Sequence, residues 1–202
     1  MNRVLLLFLS TFIIAGNVKA QDSTAWSFQF GLGSLFPDAS EIVGANTPNG
    51  LNITAGLSYQ YQSRIVFQGT FYFDYFTDDK QIDFRTYVVI LNAAFAARLH
   101  ILPAQSRLSP YLIGGVAPAL YRNARPYVEE SGRIDPYDTQ RIESLNVGYS
   151  LKYGVGTTLN LSDSMELWFE WQYTRFGFFK NVNPIHYRAL MFGLLLDIDW
   201  EL

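Results

Sequence analysis

Met165–Tyr173, MELWFEWQY, sets two carboxylates inside a run of large apolar side chains. A buried, unpaired charge is costly, so Glu166 and Glu170 need a polar side to face. An extended chain supplies one, because successive side chains point to opposite faces. Leu167, Phe169, Trp171 and Tyr173 then share one face, and Glu166, Trp168, Glu170 and Gln172 share the other. The carboxylates lie behind the apolar surface rather than within it.

The same period of two recurs along the chain, and no long stretch after residue 20 follows helical spacing. Trp26, Phe28, Phe30 and Leu32 oppose Ser27, Gln29, Gly31 and Gly33. Ile65, Phe67, Phe71, Phe73 and Tyr75 oppose Gln68, Thr70, Tyr72 and Asp74. Eight such runs are found, at 25–34, 50–62, 65–76, 85–99, 108–121, 143–161, 165–176 and 187–202. Two are irregular. The phase of 85–99 is set by placing Asn92 and Arg98 on the polar face, and 108–121 has almost no polar face. Pro118 cannot donate to a sheet ladder, which predicts a bulge or strand end there.

Connections alternate in length. Those at 62–64, 162–164 and 100–107 are short, whereas 35–49, 77–84, 122–142 and 177–186 are long. Short on one end and long on the other predicts an all-β fold, an eight-stranded antiparallel up-and-down transmembrane β-barrel. An even number of strands brings both ends of the domain to the short-turn, periplasmic side.

The first 20 residues read as a cleaved signal peptide. Arg3 precedes an apolar stretch from Val4 to Ala15, and Val18 and Ala20 are small residues before a cut. That stretch is too short to span a bilayer as a helix. Residues 21–202 form the barrel domain. Of the 15 basic residues, Arg3 and Lys19 leave with the leader; 13 remain against 18 acidic ones, a net charge of −5. Such a balance argues against nucleic acid as a partner. The chain has no Cys, so disulfides play no part.

Eight up-and-down strands also describe a soluble, lipocalin-like ligand carrier, and the polar face separates the two. A water-facing surface would be rich in charge. The polar set of residues 146–160 is instead Asn146, Gly148, Ser150, Lys152, Gly154, Gly156, Thr158 and Asn160. Small, mostly uncharged side chains suit a crowded lumen, and the alternate Val, Tyr and Leu suit lipid. Aromatic residues fall at two levels. Trp26, Tyr59, Tyr61 and Trp200 lie towards the short-turn end, and Phe73, Tyr75, Tyr87 and Tyr173 towards the other. Two belts flanking an apolar band are expected of a membrane barrel.

With the leader, the eight-run pattern, the glycine-rich PYLIGGVAPALY (110–121) and the closing GLLLDIDWEL (193–202), the chain resembles the small outer-membrane β-barrel proteins of the OmpA/OmpX-like type, in particular the Bacteroidetes-type outer membrane protein β-barrel domain. The resemblance implies a location in the outer membrane of a Gram-negative cell and delivery by the outer-membrane assembly machinery. That family's last strand usually ends in an aromatic residue as an assembly signal. Here the end is Leu202, with Trp200 two residues before it.

An eight-stranded barrel is just wide enough for side chains to fill. The inward charges assigned are Asp74, Arg98, Lys152, Glu166, Glu170 and Asp197. Mixed signs on different strands suggest a self-satisfying network, since buried charges are paired. Arg98 and Lys152 are the first candidates to hold Glu170. A narrow gated ion path is the sharper alternative. A lipid A-modifying hydrolase is another, but no Ser follows Ser164, so none is local to His186. No metal spacing, cofactor motif or nucleophile motif is present. The long connections suit contact with lipopolysaccharide or a surface ligand, with Tyr127, Arg133 and Tyr137 as binding candidates.

Overall fold

The computed structural model describes residues 26–38, 49–77, 87–126, 141–179 and 184–198. Eight strands follow one another: β1 (Trp26–Pro37), β2 (Asn49–Gln62), β3 (Ile65–Thr77), β4 (Tyr87–His100), β5 (Leu108–Pro126), β6 (Arg141–Ser162), β7 (Met165–Phe178) and β8 (Ile185–Asp197). Each pairs antiparallel with its neighbours in sequence, and β1 pairs with β8 to close the barrel. Closure leaves no unpaired sheet edge. The leader, Trp200, Leu202, Tyr127, Arg133 and Tyr137 lie outside the described residues.

The pattern is inside out relative to a water-soluble protein. Phe71, Phe95, Val116 and Phe192 are exposed on the outer wall, while Asp74, Arg98, Lys152 and Glu170 are at most 4 % exposed. Alternation of the burial pattern along β3, β7 and β8 follows the period of two read from the sequence.

The expected bulge or strand end at Pro118 does not occur. β5 runs on to Pro126, and its register with β6 is continuous through Pro118↔Tyr149. On the β4 side the ladder passes from Asn92↔Ala119 to Phe95↔Val116. Two rungs are missing, yet the register is the same on both sides, so the proline costs ladder pairing and adds no residue. The register does shift in β2 between Gln60 and Gln62, and in β6 between Asn160 and Ser162. Each shift adjoins a tight turn, and the extra residue, Tyr61 or Leu161, is exposed. A bulge beside a short hairpin bends and twists the strand without losing the alternation beyond it.

β6 outruns β7. It pairs with β5 as far as Pro126↔Arg141, whereas it meets β7 only from Gly148. β5 keeps its pairing with β4 up to Tyr87↔Ala124, so the extension is supported on that side.

Candidate functional site: the layered lumen

Side chains fill the lumen in layers. At the long-connection end, Leu35, Phe76, Val88, Ile90, Tyr121, Phe176 and Tyr187 form an apolar plug. Rings meet at close range there: Phe76 and Tyr187 lie 5.3 Å apart edge to face, and Tyr121 and Phe176 lie 5.8 Å apart. Phe176 is also edge-on to Phe178 at 4.7 Å.

Beneath the plug is the first charged centre. Asp74 accepts hydrogen bonds from Asn52 Nδ2 (2.5 Å), Asn92 Nδ2 (3.0 Å) and Tyr187 Oη (2.6 Å). Lys152 Nζ stands 3.8 Å from its Oδ2 and 4.1 Å above the Tyr72 ring. Ser150 Oγ donates to Asn92 Oδ1 at 2.7 Å, which orients the amide towards Asp74.

The second centre lies nearer the short turns. Glu170 Oε2 accepts from Tyr111 Oη at 2.9 Å and faces Arg98 Nη2 at 3.4 Å. The Arg98 guanidinium is sandwiched between the Tyr111 ring, 4.8 Å away, and the Trp168 ring, 5.6 Å away. Gln172 links the two centres: its Nε2 donates to Glu170 Oε1 and to Tyr72 Oη, under the Lys152 ammonium.

Glycine makes these large rings possible. Gly31 and Gly193 are directly paired, and a Cβ on Gly31 would stand 2.3 Å from the Trp168 ring. A Cβ on Gly193 would meet the same ring at 2.7 Å. Trp168 thus lies across a floor that only hydrogen leaves free, with its Nε1 donating to the Leu194 carbonyl at 3.3 Å.

Past Trp168 and Arg98 the lumen opens into a cavity of about 640 Å³ at the short-turn end. Ser58, Gln60, Arg107, Thr158, Asn160, Glu166 and Asp197 contribute to its wall. Arg98, Thr158 and Asn160 also line it, and their buried Nε, Oγ1 and Oδ1 atoms have no hydrogen-bond partner among the described residues. Asp197 accepts from Ser27 Oγ at 2.7 Å.

Of the six charges assigned to the lumen, four meet as two buried ion pairs, Lys152–Asp74 and Arg98–Glu170. Glu166 and Asp197 do not join them; they line the cavity. Sequence reasoning missed Tyr111 and Tyr187, the two phenols that donate to the carboxylates. The signal was their inward phase, Tyr111 on a run with almost no polar face and Tyr187 in phase with Gly193 and Asp197. It also missed His100, whose Nδ1 is 2.8 Å from Ser109 Oγ. The pair is buried, and the Ser109 hydroxyl donates to the Leu102 carbonyl at 3.1 Å, so it ties the 101–107 turn to β5. His186 bonds Tyr173 on the outer wall, 2.6 Å from Nδ1 to Oη.

The assigned aromatics all face outward where described. Trp26 packs on Tyr59 at 4.9 Å, Tyr61 on Phe67 at 5.9 Å and Tyr75 on Tyr87 at 6.4 Å. Phe73 is exposed, and Tyr173 packs on Tyr153 at 5.0 Å with the rings tilted.

A closed up-and-down barrel of eight antiparallel strands, apolar outside and filled with polar side chains inside, is the architecture of small outer-membrane proteins. No known family pattern matches this chain, and no curated protein sequence does. Solved structures do. Neisserial surface protein A shares 14% identity over 88% of this chain and 100% of its own, with a TM-score of 0.59. Ail, the attachment invasion locus protein of Yersinia pestis, shares 13% identity over 86% of this chain and 98% of its own, with a TM-score of 0.54. At such identities the likeness is one of fold.

Proposed function

We propose that this chain is an integral outer-membrane barrel protein of a Gram-negative cell with a closed lumen, acting as a rigid carrier of surface loops and not as a pore or enzyme. The observation that carries the reading is the inversion of polarity. Phe71, 71 % exposed, and Phe95, 62 % exposed, face outward, while two ion pairs lie in the interior. Water would penalise such a wall, and lipid would not.

On this reading the short turns face the periplasm and the long connections face outward. Residues 1–20 are removed on export, the assembly machinery inserts the barrel, and lipopolysaccharide surrounds its outer rim. Tyr127, Arg133 and Tyr137 are the loop residues offered to a surface partner. Membership of the Bacteroidetes-type domain belongs to the same proposal. The plug favours a silent lumen over an ion path, because Phe76, Phe176 and Tyr187 leave ions no polar lining at that level.

The test is solubility and gel mobility. The mature chain should need detergent or lipid to stay folded, migrate differently on a gel when unboiled, and leave planar bilayers silent. A monomer that stays folded in buffer alone would contradict the membrane reading, and steady ion-selective openings would contradict the closed lumen.

A further inference from the structure

One patch of the outer wall is at odds with its apolar surroundings. Near the long-connection end, Tyr173 and Arg175 of β7 stand directly opposite Arg188 and His186 of β8. All four are on the outward phase, and both arginines are exposed. Their inward neighbours Gln172, Thr174, Tyr187 and Ala189 are buried. Tyr173 and His186 are bonded across one diagonal of the square. The other diagonal joins Arg175 to Arg188, positions roughly 7–8 Å apart in such a ladder.

Two guanidiniums of like charge are thus neighbours on a wall otherwise built for hydrocarbon. Arg188 is ion-paired with Asp38, and Arg175 has no ion pair or hydrogen bond among the described residues. Among the described residues, one positive charge of this patch has no counter-charge paired to it. Towards the barrel middle the same surface turns apolar at once, with Trp171, Leu190, Phe169 and Phe192 exposed. The rings of Trp171 and Phe36 stack at 5.9 Å across β8, making a floor beside the arginines. A cationic, hydrogen-bonding head over an aromatic shank is complementary to an anion with an apolar tail.

We propose that this patch binds the phosphate group of a membrane lipid. The two guanidinium forks hold the phosphate oxygens between Arg175 and Arg188, since planar paired donors suit that geometry. Tyr173 and His186 add hydrogen bonds, and the acyl chains lie over Trp171 and Phe36. The level agrees, because Tyr173 and Tyr153 pack together here on the outer wall, where interfacial tyrosines are expected. The site rests on the reading that the barrel spans a membrane.

The test uses the folded chain in nanodiscs of equal parts phosphatidylcholine and phosphatidic acid, with retained lipids counted by native mass spectrometry. Phosphatidic acid should be retained in preference to phosphatidylcholine. Arg175→Gln and Arg188→Gln should each lower that preference about fivefold. Asp38→Asn, which frees Arg188, should raise it. Inorganic phosphate in the buffer should leave it unchanged. Equal retention of the two lipids, a preference indifferent to both arginine substitutions, or competition by inorganic phosphate would overturn the site. Gel mobility of the unboiled protein confirms that each variant is folded. Failure of the membrane reading has a different signature, a chain that does not enter nanodiscs at all.

Discussion

Asp74 and Glu170 are both buried carboxylates with one cation each, yet the two ends of the lumen surround them differently. Asp74 sits beneath the aromatic plug and takes bonds from Asn52, Asn92 and Tyr187 besides Lys152. Its centre is supplied by protein donors, and the rings above it exclude water. Glu170 pairs with Arg98, which also lines the open cavity and whose buried Nε has no partner among the described residues. There water can replace what a mutation removes. One barrel therefore holds a dry centre and a wet one about two layers apart. Burial alone does not distinguish them; the solvent available on the far side of each cation does.

Removing one charge at a time separates the two most strongly. Asp74→Asn should cost about 3–5 kcal/mol, because Lys152 is left uncompensated beneath a seal. Glu170→Gln should cost clearly less, because Arg98 can turn to cavity water. Urea unfolding in lipid vesicles measures both. Equal losses, or a larger loss at Glu170, would break the distinction.

A charge on the opposite side of the wall meets lipid whichever centre it is near. Leu194 lies mid-strand on the outer phase, opposite Phe30 and Leu167. Leu194→Arg should cost about 2–4 kcal/mol in the same assay. A neutral result would mean that this face meets water.

The smallest effect is expected at the wet end. Thr158 Oγ1 is buried beside the cavity with no partner among the described residues, so its hydroxyl adds no hydrogen bond there. Thr158→Val should change stability by no more than about 0.5 kcal/mol. A loss well above that would reveal a tightly held water as the missing partner.

The sequence made the barrel legible because its code is local. Glu166 and Glu170 alternating with Leu167, Phe169 and Trp171 state a two-faced strand without reference to any other residue. Eight repetitions with alternating turn lengths then leave few topologies. Partners across the lumen are not local. Arg98 meets Glu170 from three strands away, a distance set by barrel curvature and tilt that no single strand records. The plug was hidden for a related reason. Where the lumen is apolar, both faces of a strand are apolar, and the period of two fades. Val88 and Ile90 in β4, and Ala117, Ala119 and Tyr121 in β5, are such places, and these were the two runs of poorest alternation. The weak signal was itself the mark of a sealed layer. Pro118 misled because a missing donor was read as a bulge or strand end; the continuous β5–β6 ladder carries the chain past it.

The central claim is a polar lumen open to water at the short turns and closed to it beneath the plug, behind an apolar wall. The chain contains no native Cys, so single cysteines report without background. In lipid nanodiscs, Gln60→Cys, half-buried in the cavity wall, should react with a water-soluble maleimide. Ala189→Cys, buried beside the plug, should stay unreacted until the protein is unfolded. Rapid labelling at Ala189, or protection at Gln60 equal to that at Ala189, would contradict the account.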